Sequence, residues 1–249
     1  MLTRRENAGR VRLDVAMVER GLAESLEKAQ ALIMADRVRL DNQPARKAGQ
    51  RVLAGATIEV EPGHEYVSRG GIKLAHALDC FHLNLDGLVA LDVGASTGGF
   101  THCLLSRGAL RVYALDVGYG QLDYRLRQDA RVVAMERTNA RYPFHLDERV
   151  DLATVDVSFI SLTRMLPSVA SHLKEDGHIV ALVKPQFEAR RSEVGSRGVI
   201  RDPRIHARVL GRTIAWLVNR GFRLKDLIAS PITGDEGNRE FFVLIGCAG

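Results

Sequence analysis

The fold of this chain is indicated most clearly by residues 90–101, ALDVGASTGGFT, which run from an apolar strand through a loop of small residues into a helix. Three glycines, Gly94, Gly98 and Gly99, and the carboxylate of Asp92 come where that strand ends. Open α/β sheets bind their ligands at the carboxyl ends of their strands. We therefore expect this loop to hold a small molecule. A tight turn that binds nothing is the alternative.

Further apolar runs follow and alternate with helical stretches. Continuous Val, Ile, Leu and Ala is typical of strands that are covered on both faces. Residues 161–173 and 204–222 have helical spacing, and Gly221 stands where a C-terminal cap is expected. The strand-like runs are LVALDVG, RVYALDV, RVVAMER, DLATVDVS and HIVALVK, and then DLIASPI and REFFVLIGC, one of which we expect to be antiparallel. The sequence predicts a doubly wound, mostly parallel α/β domain of the Rossmann-like type.

The residues before this domain are organised differently. Two short helical patterns, the second preceded by Ser25 as an N-cap, come before the short strand-like runs VRL and TIEV. The segment EPGHEYVSRGG breaks both periodicities and indicates a linker. We therefore predict a small N-terminal α+β domain at 1–60, a linker at 61–71 and the large domain at 72–249.

Composition limits the function. The chain has 249 residues, of which 46% are hydrophobic and 26% charged, as in ordinary globular proteins. Its three cysteines are far apart, so we expect neither a disulfide framework nor a metal site. No apolar run approaches the ~18 residues of a membrane span and the start lacks a signal-peptide core, so we expect a cytoplasmic protein. A net charge of +5 is compatible with a polyanionic partner.

The glycine loop does not match the dinucleotide fingerprint, because its sequence G-A-S-T-G-G lacks the spacing G-x-G-x-x-G. Asp116 follows the next strand, where it could accept hydrogen bonds from both hydroxyls of a ribose. These features fit S-adenosyl-L-methionine, whose sulfonium charge tolerates a neighbouring Asp92. The predicted cofactor-binding residues are Asp92, Gly94, Ala95, Ser96, Thr97, Gly98, Gly99, Phe100, Asp116 and Asp156.

Four further polar residues stand at strand ends or at the start of a helix, namely Lys73, Asp156, Lys184 and Glu240. Lys and Asp are rarely buried unless they are paired, so we expect the apolar strand that ends in Lys184 to deliver it to a cleft. Each residue alone is better explained as a solvated surface charge. Their joint occurrence favours a catalytic site.

Five motifs, DVGASTGGFT, SRGGIKL, VDVSFIS, VKPQFE and GNREFF, make the chain resemble the TlyA-type, haemolysin A-like proteins. These proteins join an RNA-binding domain of the ribosomal-protein-S-four type to an FtsJ-like ribose methyltransferase. The resemblance implies methylation of a ribose 2′-hydroxyl in ribosomal RNA, within ribosomal subunits, with Lys73, Asp156, Lys184 and Glu240 as the catalytic set. We hypothesise that Lys184 contacts the attacking oxygen, that Asp156 orients it, and that the other two fix the hydroxyl and the network.

Basic residues predict where the RNA would bind, and we expect a mobile loop at 188–202 that orders over it. The predicted RNA-binding residues are Arg10, Arg12, Arg37, Arg39, Arg46, Lys47, Arg51, Arg69, Arg190, Arg191 and Arg197. A solvated basic face is the alternative. Two other functions stay open: a membrane-active haemolysin, for which we find no strongly amphipathic basic helix, and an RNA-binding protein without catalysis.

Overall fold

The computed structural model describes residues 10–34, 37–45, 47–60, 66–195, 198–234 and 237–246. Arg46 and Arg197, both predicted to bind RNA, lie outside the described residues. The chain divides into two compact units, Met1–His64 and Glu65–Gly249, called here the N-terminal and C-terminal units.

The N-terminal unit is built from two short helices and small antiparallel sheets. Its elements are β1 (Arg10–Arg12), α1 (Leu13–Glu19), α2 (Leu26–Met34), β2 (Val38–Leu40), β3 (Gln43–Pro44), β4 (Arg51–Leu53) and β5 (Ile58–Val60). β1 pairs with β4, and β2 lies between β3 and β5. Ser25 Oγ accepts from the N–H of Lys28 at 3.2 Å, as the predicted N-cap should. Leu13, Met17 and Val38 form the centre of the core, with no exposed surface.

The C-terminal unit contains a seven-stranded sheet with the order β11-β12-β10-β9-β6-β7-β8 among the described residues. Its elements are α3 (Arg69–Cys80), β6 (Val89–Val93), α4 (Gly99–Ser106), β7 (Arg111–Leu115), α5 (Tyr124–Arg127), β8 (Val132–Met135), β9 (Val150–Val155), α6 (Leu166–Ala170), β10 (Leu173–Val183), α7 (Pro185–Glu188), α8 (Pro203–Asn219), β11 (Arg223–Ala229) and β12 (Phe241–Gly246).

Strand direction and burial confirm the predicted fold class. β10, β9, β6, β7 and β8 are mutually parallel, whereas β12 is antiparallel to both of its neighbours. All five residues of β6 are buried, because α3 and α4 pack on one face of the sheet and α6 and α8 on the other. The sequence VALDV lacks polar alternation for this reason.

The predicted linker is wrong at its end. Arg69, Gly70 and Gly71 form the first turn of α3 instead of a flexible connection. A Cβ at Gly71 would lie 2.2 Å from Cγ of the buried Tyr66 ring, and one at Gly70 would lie 3.4 Å from Phe100. These glycines therefore permit close packing, and sequence alone cannot separate that role from flexibility.

The helix predicted over 161–173 is also shorter than expected. Residues Leu162–Arg164 form one 3₁₀ turn, α6 covers only Leu166–Ala170, and Leu173 already belongs to β10. By contrast, α8 covers most of the range predicted at 204–222, with Asp202 as N-cap and Gly221 in the left-handed region (φ 83°) after its end. Most of the apolar residues of 161–173 lie in the 3₁₀ turn and in α6, which together cover the sheet. Leu162 and Leu166 are in the core.

Candidate active site

The glycine loop between β6 and α4 has a backbone that only small residues allow. Gly94 has φ 87°, and a Cβ there would lie 2.2 Å from the carbonyl oxygen of Asp156. Gly98, the N-cap of α4, has φ 95°, and a Cβ there would lie 2.3 Å from a methyl carbon of Leu126. The loop is thereby pressed against the ends of neighbouring segments, while Ser96 and Thr97 stay exposed.

Asp116 lies at the end of β7 and faces this loop. Its carboxylate accepts from the backbone N–H of Ser96 at 2.8 Å and from that of Gly118 at 2.7 Å. Each carboxylate oxygen can accept a second hydrogen bond, and the side chain is only half-buried. Asp116 is thus fixed by the backbone and keeps acceptor capacity for a ligand.

The predicted contact between Asp92 and a cofactor is wrong, because Asp92 has no exposed surface. Its carboxylate accepts from Thr101 Oγ1 at 2.7 Å and from Thr154 Oγ1 at 3.0 Å. Burial raises the pKa of Asp92 to about 7, although these two hydrogen bonds oppose the shift. Asp92 therefore joins α4 to β9 beneath the loop instead of facing the ligand.

Two other predicted cofactor residues also point into the core. Ala95 is 6% exposed and Phe100 is 4% exposed. The Phe100 ring packs against Phe242, with 6.1 Å between the ring centroids. Their side chains cannot line a binding site, so only their backbone groups remain available for a ligand.

Lys73 and Glu240 form a buried ion pair between α3 and the start of β12. Lys73 Nζ donates to Glu240 Oε2 at 2.6 Å, and the two residues are 8% and 3% exposed. A buried ion pair needs good geometry to offset its desolvation, and here it has a direct hydrogen bond. A Cβ at Gly234 would lie 2.5 Å from Glu240 Oε1, so the surrounding chain also holds this carboxylate closely.

Lys184 and Asp156 form a second ion pair at the ends of β10 and β9. Lys184 Nζ lies 2.6 Å from Asp156 Oδ1 and donates a hydrogen bond to Ser158 Oγ at 2.9 Å. The contact with Asp156 does not have hydrogen-bonding angles, so Oδ1 is buried without a hydrogen-bond partner. This pair is therefore held together by charge, and its geometry is incomplete.

The sheet brings both pairs to the same edge. Val183 pairs with Phe241 across β10 and β12, so Lys184 and Glu240 are each one residue beyond that pair. Asp156 directly follows β9, the other neighbour of β10, and its carbonyl touches the glycine loop. Neighbouring strands are about 4.8 Å apart. All four predicted catalytic residues therefore lie at the edge that carries the loop.

The structure adds Phe159, which the sequence analysis did not single out. Its side chain is 91% exposed, its backbone has φ 64°, and its ring centroid lies 5.0 Å from that of Phe187. A bulky residue in the left-handed region is uncommon and is typically found at functional sites. Phe159 belongs to VDVSFIS, but no sequence pattern shows that its ring faces solvent.

Glu188 ties together the segments that carry the Lys184–Asp156 pair. Its carboxylate accepts from Ser161 Oγ at 2.6 Å and from the N–H of Leu162 at 2.7 Å. Burial raises the pKa of Glu188, and these hydrogen bonds oppose that shift. The end of α7 is thus fastened to the segment after β9.

Two buried acceptors test whether S-adenosyl-L-methionine fits. Asp156 Oδ1 and Gln186 Oε1 are the buried side-chain polar atoms without a hydrogen-bond partner in the described part of the chain. Asp156 Oδ1 has Lys184 Nζ beside it at 2.6 Å, whereas Gln186 Oε1 has no such neighbour, so Gln186 is the acceptor that indicates a missing donor. The cofactor carries an ammonium group and ribose hydroxyls, all of them donors. Together with the loop and Asp116, the residues present fit this cofactor.

The predicted RNA-binding residues are distributed over both units. Arg10, Arg12 and Arg51 lie on the exposed side of the β1–β4 ribbon, with Arg12 directly opposite Arg51. Arg12 is paired with the buried Asp14, and its hydrogen bond is the largest cause that lowers the pKa of Asp14 to about 2. Arg39, Lys47, Arg69, Arg190 and Arg191 are exposed, and Arg37 is half-buried.

The loop at 188–202, for which the sequence predicts mobility, makes hydrogen bonds to α8 and to Asn238. Glu193 accepts hydrogen bonds from Arg208 at 3.2 Å and from Arg212 at 2.6 Å, which fastens the loop to α8. Asn238, which is 1% exposed, accepts from the N–H of Ile200 and donates to the carbonyl of Gly198. Within the described residues the loop is tied at both ends, and these partners are too distant in sequence to predict.

Comparison with known proteins decides the family. The family model described as FtsJ-like methyltransferase matches residues 66–247, and that of the S4 domain matches residues 11–58. The chain belongs to the FtsJ-like methyltransferase family. This methyltransferase is 45% identical over 240 residues to the 16S/23S rRNA (cytidine-2′-O)-methyltransferase TlyA of Mycobacterium tuberculosis, covering 95% of this chain and 90% of that one.

Two further relatives span most of this methyltransferase. YqxC of Bacillus subtilis, named as a candidate rRNA methyltransferase, is 48% identical over 236 residues, covering 93% of this chain and 84% of that one. A solved structure of a protein from Streptococcus thermophilus, named as a candidate hemolysin, has a TM-score of 0.76 and 41% identity, covering 96% and 89% of the two chains. Among the described residues, no helix of this methyltransferase is both long and apolar enough to cross a membrane.

Proposed function

We propose that this methyltransferase transfers the methyl group of S-adenosyl-L-methionine to a ribose 2′-hydroxyl of ribosomal RNA. The observation that carries the proposal is the Lys184–Asp156 ion pair, since the backbone carbonyl of Asp156 adjoins Gly94 of the glycine loop. The relatives named for rRNA methylation support the choice of substrate. Ribosomal subunits in the cytoplasm are the expected partner.

The cofactor would bind along the glycine loop. Asp116 would accept from the ribose hydroxyls of its adenosine, and Asp156 Oδ1 would accept from one of its donors. The first N–H groups of α4, which begins at Gly99, have no partners within the helix, and those at the loop would be available to the cofactor. When bound, the cofactor supplies a methyl group on a sulfonium and leaves as a neutral thioether.

The protein must activate a weak nucleophile. A ribose hydroxyl loses its proton as its oxygen forms the new bond to carbon, so a nearby group must accept or stabilise that proton. Lys184 Nζ is the group we assign to this contact, and Asp156 provides the negative charge beside it. The buried Lys73–Glu240 pair fixes the neighbouring wall of the site.

Phe159 would hold the base of the target nucleotide. Its exposed ring is supported by Phe187 and lies next in sequence to Ser158, which contacts Lys184. Unpaired RNA bases stack on exposed aromatic rings, and a ribose inside a duplex is reached by flipping its nucleotide out. The strained backbone of Phe159 is explained if its ring serves this purpose.

The N-terminal unit would bind the RNA backbone. Arg12 and Arg51 face each other directly across two strands, and the carboxylate of Asp14 pairs with Arg12. Arg10 lies on the same side of the ribbon. Phosphate groups of RNA would bind the exposed guanidinium groups on this side, and such contacts make RNA affinity dependent on salt.

The test is methyl transfer from tritiated S-adenosyl-L-methionine to small subunits, large subunits and bare rRNA. We expect label in RNA with at least one of these substrates and measurable binding of the cofactor by calorimetry. Absence of label from every RNA would refute the proposed reaction. Retained RNA binding in that case would favour the non-catalytic alternative, and lysis of erythrocytes without label would favour the haemolysin.

A further inference from the structure

We propose that Ser158 is a positioning residue for Lys184, and that its hydroxyl sets the direction in which the lysine nitrogen meets the substrate oxygen. This inference rests on the proposed function, because it assumes that Lys184 contacts the attacking oxygen. It concerns a residue that neither the ion pairs nor the motif comparison assigns.

Lys184 Nζ makes two contacts of different kinds, one with a carboxylate charge and one through a directional hydrogen bond. Asp156 Oδ1 is the nearest acceptor, at 2.6 Å, but its angles are not those of a hydrogen bond. Ser158 Oγ, at 2.9 Å, accepts a hydrogen bond from Nζ with proper angles. Hydrogen bonds are directional, whereas Coulomb attraction between an ammonium and a carboxylate depends mainly on distance. Asp156 therefore attracts the nitrogen, and Ser158 orients it.

The tetrahedral nitrogen of Lys184 needs both contacts if its free position is to face one defined direction. To accept the proton of the ribose hydroxyl, the nitrogen has to act as an amine with two N–H bonds and one lone pair. If one N–H bond is held by Ser158 and the charge of Asp156 keeps the nitrogen close, the lone pair is confined to the remaining side and can meet that hydroxyl. After that proton is accepted, the same two contacts persist and the third N–H points to the oxygen of the substrate. With only one contact, the nitrogen rotates and that position is lost.

Ser158 is itself held in place. The following residue, Phe159, has the left-handed backbone that turns the segment, and Glu188 fastens its far end through Ser161 and Leu162. Ser158 is exposed, so water satisfies its own O–H while its oxygen accepts from Lys184. The hydroxyl therefore makes this hydrogen bond without leaving another polar group unsatisfied.

The pH dependence of the reaction reports on this contact, because the lysine amine has to act in a defined protonation state. Asp156 is the ionisable group in contact with Lys184 Nζ. Further ionisable side chains on the described elements at this edge are Glu240 before β12, Lys73 on α3, Glu188 on α7, Asp92 on β6 and Asp116 after β7. None of them is changed when Ser158 is substituted, so a changed profile is attributable to Lys184.

The experiment compares Ser158→Ala with Ser158→Thr, which keeps the hydroxyl, and with Ser168→Ala. Ser168 is a half-buried serine on α6 whose hydroxyl donates to the carbonyl of Tyr142, away from Lys184. We expect Ser158→Ala to lower kcat by about 10- to 100-fold, because misplaced reacting groups cost about that much. KM for RNA and the Kd of the cofactor should stay within about twofold. Ser158→Thr should retain most of the activity, and Ser168→Ala should match the unsubstituted protein.

The pH profile of kcat should move in Ser158→Ala and stay in place in the other two variants. The proposal is overturned if Ser158→Ala behaves like Ser168→Ala, if the loss lies in KM or in cofactor affinity, or if Ser158→Thr is as inactive as Ser158→Ala. The pH dependence of Lys184 acetylation, followed by mass spectrometry, gives a second measurement that needs no RNA. It should differ between Ser158→Ala and the unsubstituted protein, and an identical profile contradicts the contact even if the protein methylates no RNA at all.

Discussion

The two lysine–carboxylate pairs described in the C-terminal unit have the same chemistry and the same 2.6 Å separation. They differ in hydrogen bonding, which is complete in one pair and incomplete in the other. Lys73 and Glu240 are buried and joined by a proper hydrogen bond. The Lys184 and Asp156 side chains are 12% and 19% exposed, and Asp156 Oδ1 is left without a hydrogen-bond partner. Loss of one partner from the complete pair would leave a buried charge unpaired, whereas the incomplete pair keeps donors and acceptors for a reacting molecule.

Breaking the incomplete pair should have the largest effect. Lys184→Ala removes the proposed contact with the attacking oxygen, so we expect methyl transfer to fall by at least about 1,000-fold. The Kd of S-adenosyl-L-methionine should stay nearly unchanged, because Asp116 and the glycine loop are intact. Single-turnover label transfer and calorimetry measure the two quantities. Retained turnover would reject the role of Lys184.

Breaking the complete pair should mainly affect stability. Lys73→Met leaves the Glu240 carboxylate buried without its partner, which costs about 3–5 kcal/mol of folding free energy. The double variant Lys73→Met with Glu240→Leu should recover much of that loss, because no uncompensated charge remains. Urea unfolding of the full chain gives the values. A loss below about 1 kcal/mol for the single variant would show that this pair is not structural.

The buried carboxyl group of Asp92 should make the stability of the C-terminal unit depend on pH. Burial raises its pKa from 3.8 to about 7, so its protonated form is the one that suits the fold. Its stabilisation is therefore complete below pH 3.8 and is lost as the pH rises through about 7. Asp92→Asn cannot ionise, so its stability relative to the unsubstituted protein should increase by on the order of 3 kcal/mol between pH 4 and 8. Urea unfolding at both pH values tests this, and a constant difference would refute it.

Phe159 tests whether the incomplete pair faces RNA. Phe159→Ala should weaken RNA binding, seen as a higher KM, by about 5- to 150-fold, since stacking of one base contributes about 1–3 kcal/mol. Phe159→Tyr keeps the aromatic face and should behave like the unsubstituted protein. Cofactor affinity should not change in either variant. Equal KM values for the alanine and tyrosine variants would exclude a stacking role.

Substitution of Gln186 should have the smallest effect. It should also separate the effect on stability most clearly from the effect on activity. Gln186→Met replaces a buried acceptor that has no partner by an apolar side chain of similar length. We expect unchanged or slightly higher stability, by at most about 1 kcal/mol, together with about 10-fold lower activity. Thermal unfolding and label transfer are measured on the same sample. A clear loss of stability would mean that the Gln186 oxygen is satisfied inside the fold.

The sequence predicts which residues lie at the ends of the strands better than it predicts what their side chains contact there. Lys184 and Asp156 could be found because each directly follows an apolar strand, and strands of one sheet end together. Asp92 follows the same rule and was misplaced, because its partner Thr154 is 62 residues away and draws the carboxylate inward. Ser158 and Gln186 depend on angles and on missing partners, which no sequence pattern contains.

The direct test of the central claim is the identity of the methylated nucleoside. rRNA labelled by this methyltransferase is digested completely, and the nucleosides are separated and identified by mass spectrometry. The geometry at Lys184 predicts that all of the label is found in 2′-O-methylribonucleosides, and that Lys184→Ala abolishes it. Label on a base, or 2′-O-methylation that survives the loss of Lys184, would contradict the account.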